Sequence, residues 1–224
     1  MRNIIRKILI GTGTMLILSA LFLCVHNIIE SRNAFQQSQV IVSELKKIIP
    51  EQPVTSTEIL VQPSTDAEDV PVTQEEDIFA PYEENPDELP APVELDGRYY
   101  CGFLTVPALG LELPVADGWS YETLKYSPCR YSGSAESRDL IIAAHNYNSH
   151  FGKISALSFG DEMIFTGTDG VQHRYTVDST EMVDGYDVDS MFRGQQDEWD
   201  ITIFTCTLSG KSRVTVRGIC ADTF

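Results

Sequence analysis

Residues 201–218 read ITIFTCTLSGKSRVTVRG. Apolar residues alternate with small or polar ones on both sides of LSGK, which is the pattern of two strands joined by a tight turn. A cysteine closes the first strand, and an arginine stands seven positions later on the second. Residues facing each other across a hairpin ladder have neighbouring side chains. Two readings follow. Cys206 is a buried thiol of the core, or it is a nucleophile whose thiolate or tetrahedral oxyanion is stabilised by the Arg213 guanidinium.

Upstream of the hairpin the chain continues in short strands separated by turn residues. FLTVPALGLELPV is an extended segment broken at Pro107 and Gly110, and DLIIAAH is a short apolar run fitting a buried strand. DEMIFTGTDGVQHRYTVDS reads as a hairpin about Asp169-Gly170. SYETLKYS and GKISALS supply no more than a helical turn or two each. The pattern predicts a mainly β fold, a barrel or a sandwich, and periodicity alone does not choose between them.

The N-terminal part is of another kind. Ile8 to Ile29 is about 22 residues without a charged side chain, the length that crosses a bilayer core, and Arg2, Arg6 and Lys7 precede it. The positive-inside rule keeps residues 1–7 cytoplasmic, makes 8–29 a transmembrane signal-anchor and exports the rest. The apolar run is too long, and lacks the small-residue ending, of a cleaved signal peptide. Leu23 before Cys24 is not the small residue an acylation signal wants. Over 30–49, Phe35, Val40, Val42, Leu45 and Ile49 have helical spacing and predict a stalk that continues the anchor.

Charge divides what remains. Between Glu51 and Gly97 there are 14 Asp or Glu, no Lys or Arg, and 7 of the 11 prolines. Such a segment cannot bury enough apolar area to offset its own ordering entropy, so 50–97 is an acidic, Pro-rich linker and 98–224 the folded domain. A net charge of -17 argues against nucleic acid as a partner, because phosphates demand a basic surface. Four cysteines lie beyond Cys24, at 101, 129, 206 and 220; two disulfides are open to them, but their spacing shows no compact framework. No CxxC or Cys/His cluster points to zinc.

His145 follows LIIAA, where the chain leaves the sheet, and Cys206 ends ITIFT in the matching way. A thiol that attacks an amide needs a proton-transferring neighbour and an oxyanion donor, and His145, Cys206 and Arg213 supply the three. Arg217 shares a strand face with Arg213 and Thr215, while Val214 and Val216 face the other way. Arg213 is nearer the rim and is the preferred member. His150 and His173 read as structural or solvated, and Cys101, Cys129 and Cys220 as core thiols. The order His before Cys departs from papain-like peptidases, and the SHGC motif of L,D-transpeptidases is absent.

From Arg98 to Cys220 the ordered set VPALGLELPV, DLIIAAHN, GDEMIFTGTDGVQHRYTV, TIFTC and RVTVRG resembles the sortase family. The first matches the family's IP-x-I-x-L-P-like strand, His145 its histidine after an apolar strand, Cys206 the cysteine of its TLxTC motif, and Arg213 the arginine opening its last strand. The resemblance implies an eight-stranded β-barrel with short helices and a cysteine transpeptidase tethered outside a Gram-positive membrane. Its substrates would be surface proteins bearing an LPxTG-like sorting signal, and its acceptor an amine of peptidoglycan or of a pilin subunit. No cofactor and no bound metal are expected. The turn between Cys206 and Arg213 is shorter than the usual loop. HNYNSHFGKISAL is class B-like, yet the stretch from His145 to Cys206 is short for the extra class B helix, so the class stays open. Glu181, Asp184, Asp187 and Asp189 read as a solvated acidic loop rather than the calcium site some sortases carry, and the linker is open to acting as a lid. The alternative to catalysis is an anchored β-domain that only binds a wall component or a partner, with Cys206 structural.

Overall fold

The computed structural model describes residues 2–50, 89–192 and 199–221. Residues 51–88 of the acidic linker, with any lid they form, lie outside these, and its last stretch, 89–97, is described. One long helix, α1 (Arg2–Ile48), leads into nine strands. These are β1 (Val93–Leu95), β2 (Arg98–Val106), β3 (Leu111–Ala116), β4 (Cys129–Ser132), β5 (Leu140–Ala144), β6 (Glu162–Gly167), β7 (Gln172–Asp184), β8 (Ile201–Cys206) and β9 (Ser212–Cys220). The sheet order is β1-β2-β3-β4-β5-β8-β9-β7-β6, and β6 pairs back onto β2. Eight strands therefore close into a barrel, with β1 as a short added edge, and the choice between barrel and sandwich falls on the barrel. At the closure, β2 bulges at Gly102 (φ 153°), where a Cβ would collide with the Thr166 carbonyl of β6. Only glycine lets the two strands meet there.

Alternation along the strands sorts the side chains into an interior and two covered outer faces. Leu104, Leu113, Ile142, Met163, Tyr175, Ile203 and Val216 fill the barrel. Tyr100, Phe103, Ala116 and Cys129 face outward beneath α1, where they meet Val42, Leu45 and Ile49. Ile141, Ala143 and Phe204 face outward on the next strands beneath Met191 and Val183. Covering both faces of β5 is why LIIAA reads as an unbroken apolar run and is buried at all five positions. The four 3-10 turns among the described residues, Pro107–Leu109, Thr123–Lys125, Ile154–Ala156 and Asp189–Met191, are short, as the sequence suggests for the second and third. Among the described residues no longer helix stands between β7 and β8.

α1 is the one helix among the described residues long and apolar enough to cross a membrane, and its apolar side chains such as Leu16 and Phe22 lie bare. It runs past the apolar span without a break, with Lys46 and Lys47 against its C-terminal dipole and Pro50 beyond its end. Its last turns do not stand free as a stalk. They pack on the barrel: Ala34, Ser38, Val42, Leu45 and Ile49 are buried, while Phe35 and Val40 are exposed. Ala34 and Ser38 are small, and small side chains let the helix approach the barrel closely where Phe35 could not. Gln39 Nε2 donates to the Glu112 carbonyl at 3.0 Å, and Lys46 pairs with the Glu112 carboxylate at 2.5 Å.

Candidate active site

Three neighbouring strands carry the candidate residues to one end of the outer face. β5 and β8 are parallel, with Ala144 beside Thr205, and β8 and β9 are antiparallel, with Cys206 opposite Arg213. Ile142, Ala144 and Ile203 point into the barrel, so Ala143, Phe204 and then Cys206 point outward. The Thr205 hydroxyl donates to the Ala144 carbonyl at 2.9 Å and ties the ends of β5 and β8 together. His145 is the next residue after Ala144. The register thus brings the end of the histidine strand alongside the end of the cysteine strand, and sets the arginine across from the cysteine.

The short turn is what sets that last pairing. Thr207 N donates to Ser212 O at 2.8 Å and Gly210 N to Thr207 O at 2.9 Å, with Gly210 at φ 69°. These bonds close the hairpin with Cys206 and Arg213 on one rung. Cys206 is the exposed residue at the end of a strand whose other five members are buried. None of the five cysteines forms a disulfide. Burial pushes Cys101 and Cys129 up to about 12, so neither ionises near neutral pH. The core-thiol reading holds for those two and fails for Cys206.

His145 is half-buried and held on two sides. Its ring stacks on Tyr147 at 4.2 Å between centroids and 6° between planes. Its Nδ1 lies 3.0 Å from Asn146 N and 3.1 Å from Asn146 Oδ1. The backbone N–H donates to Nδ1 of the neutral ring, and a protonated Nδ1 can donate to the side-chain oxygen. One asparagine therefore serves both protonation states and leaves Nε2 for proton transfer. His150 is different: it is fully buried, its Nε2 lies 3.5 Å from Ser38 Oγ, and burial, with the nearby His145 second, lowers its pKa to about 4. It is a neutral packing residue beneath the loop.

The two arginines part company. Arg217 is 8 % exposed, pairs with Glu181 at 2.8 Å, donates to the Ser190 carbonyl at 2.8 Å and lies 4.1 Å over the Trp199 ring. It sits opposite Thr202, four positions along β9 from the rung of Cys206. Its guanidinium ties β9 to Ser190 and Trp199. Arg213 is half-buried at the rim, donates through Nη1 to the Gly185 carbonyl, and lies 5.9 Å from the Phe204 ring centroid.

An aromatic row escaped the sequence reading because its members are far apart in the chain. Tyr131 lies 5.5 Å from Phe204, 5.5 Å from Trp119 and 6.3 Å from Phe192, and Trp119 lies 5.5 Å from Tyr121. It forms a shelf leading away from Phe204, the outward neighbour of Cys206. Tyr147 and Asn146 also went unnoticed, since nothing in HNYN marks a ring clamp. Of the acidic residues, Asp184 accepts from Tyr186 N, Asp187 from Ser190, and Glu181 from Arg217. Among the described residues no group of three or more His, Cys, Asp or Glu is arranged to hold a metal ion.

Comparisons with known proteins bear on the family and the fold. The profile described as "Sortase domain" matches residues 104–220. A search of curated proteins finds no match. Solved structures of similar fold include sortase A from Corynebacterium diphtheriae, 21 % identical over 57 % of this chain and 63 % of that one, with a TM-score of 0.50. Its lid mutant is 22 % identical over 62 % and 76 %, with a TM-score of 0.50. A sortase C from Clostridium perfringens is 22 % identical over 55 % and 71 %, with a TM-score of 0.47. A profile match spanning more than half of the chain, over the strands that carry His145, Cys206 and Arg213, makes this protein a member of the sortase family, the family of cysteine transpeptidases.

Proposed function

We propose that the protein is a membrane-anchored cysteine transpeptidase in which Cys206, His145 and Arg213 form the catalytic unit. α1 holds it in the membrane with residues 1–7 in the cytoplasm and the barrel outside. The observation that carries the reading is the register: one exposed thiol, opposite a rim arginine and beside the strand end that bears a clamped histidine. The Cys206 thiolate attacks the carbonyl carbon of the Thr-Gly type bond in an LPxTG-like sorting signal. Arg213 donates to the oxygen that gains charge in the tetrahedral intermediate. Protonated His145 gives its proton to the leaving amine as the C–N bond breaks, which leaves a thioacyl enzyme. An amine of peptidoglycan or of a pilin subunit then gives a proton to His145, attacks the thioester and releases the thiolate. The aromatic shelf from Phe204 through Tyr131 to Trp119 supplies apolar contact for the residues before the scissile bond.

The test is turnover by the full-length protein in detergent, with a library of sorting-signal peptides and with triglycine or a lysine peptide as acceptor. A new amide joining peptide and acceptor, lost in Cys206→Ala, is expected. No product with any peptide, together with a Cys206 thiol that alkylates no faster than in the denatured chain, would return Cys206 to a structural part.

A further inference from the structure

The end of the apolar run and the loop that follows His145 meet at one place. Ile29 and Ser31 are two positions apart on an unbroken helix, or about 3 Å along its axis. Ser31 Oγ lies 3.1 Å from Ser149 Oγ, and Ser149 Oγ donates to the Ser31 carbonyl at 2.9 Å. Two turns further on, buried Ser38 donates to the Tyr126 carbonyl at 3.1 Å and approaches His150 of the same loop. Tyr147, whose phenol pKa is raised by burial and also by the Glu30 carboxylate, is the ring stacked on His145. An open crevice of about 290 Å³ follows this seam, lined by Ser31, Arg32, Phe35, Gln36, Asn148 and Ser149.

From Ile8 to Ile29 the helix measures about 33 Å, close to the thickness of a hydrocarbon core, so Ser31 stands at headgroup level when the span is filled. Exposed Arg32 and Phe35 beside it are residue types suited to a membrane–water boundary. Because the helix is continuous and the loop is bonded to it, no flexible tether separates the loop from the bilayer.

We propose that the loop of residues 145–151 faces the phospholipid headgroups of the outer leaflet, so that the reacting thiol end of the barrel works in the layer directly above the membrane. This rests on the reading of α1 as a membrane span.

The strand directions provide an internal control. β5, β8 and β7 all run toward the Cys206 end, so Val171, just before β7, lies at the opposite end of the barrel. In the full chain with Cys24→Ser and Cys206→Ala, a dye is attached at Asn148→Cys or at Val171→Cys, both exposed positions. The protein is placed in phosphatidylglycerol and phosphatidylcholine vesicles containing a headgroup spin-labelled lipid. Several-fold stronger quenching at position 148 than at position 171 is expected. Equal or reversed quenching in protein that floats with the vesicles overturns the orientation and leaves the span intact. Protein that fails to float with the vesicles after an alkaline wash overturns the span, and the orientation with it. Neither readout depends on catalysis, so neither result touches the assignment of Cys206.

Discussion

Cys206 and Arg213 are partners on the last rung of the β8–β9 ladder. Their side chains leave the barrel on the same side, one exposed and the other half-buried at the rim. Arg217, on the same face, is held by Glu181, Ser190 and Trp199.

The two arginines therefore fail differently when removed. Arg213→Ala is expected to lower kcat/KM by roughly 10²–10³ with little change in Tm, because an oxyanion donor is lost and no buried partner is stranded. Arg217→Ala removes a part-buried ion pair, a bond to the Ser190 carbonyl and a ring contact, and is expected to cost about 1–3 kcal/mol of stability. Equal losses of activity and of Tm in both variants would remove the distinction.

His150 gives stability a pH dependence. Its folded pKa is lowered to about 4, whereas the unfolded side chain titrates near 6.5. Between those values the unfolded chain binds the extra proton, so stability is complete above pH 6.5 and declines as pH falls toward 4. The shift corresponds to a loss of up to about 3 kcal/mol across the window. Urea melts at pH 7, 5.5 and 4.5 should show a shallower slope in His150→Gln than in the parent. An identical slope would show that another group carries the dependence.

The docked part of α1 behaves as core rather than as tether. Leu45 is wholly buried against the barrel, so Leu45→Ala should destabilise by about 2–5 kcal/mol, whereas Val40→Ala, on the exposed side, should change Tm little. Thermal melts of the two in the same detergent check this. A soluble form of the domain should accordingly begin before Ser31, not in the linker.

Tyr131 tests the aromatic shelf. Tyr131→Ala should raise KM about tenfold and change kcat less, since the ring lies away from the reacting bond and contributes to binding in ground and transition states alike. A loss confined to kcat would place the peptide elsewhere.

Much of this is legible in the sequence where local pattern and long-range order coincide. The β8–β9 hairpin and the turn at Asp169-Gly170 are set by alternation and turn chemistry, the strand ending at His145 by its unbroken apolar run, and the rung shared by Cys206 and Arg213 follows from the hairpin. What the pattern hides depends on approach between distant segments. The apolar spacing of residues 35–49 predicts a helix but not which side packs, and a close helix–barrel contact takes the small Ala34 and Ser38 and leaves Phe35 and Val40 exposed. Tyr147 and Asn146 gain their places only from the path of the loop after β5, and the row of Trp119, Tyr131, Phe192 and Phe204 exists only once the strands are assembled. Periodicity sees neither.

The most direct test of the central claim is to trap the acyl group. Full-length protein is mixed with a sorting-signal peptide in the absence of an amine, quenched in acid and digested, and the fragments are weighed. An acyl adduct is expected on the fragment containing Cys206, released by hydroxylamine, absent in Cys206→Ala and reduced by roughly 10²–10⁴ in rate of formation in His145→Ala. An adduct on another residue, or undiminished turnover in Cys206→Ala, would contradict it.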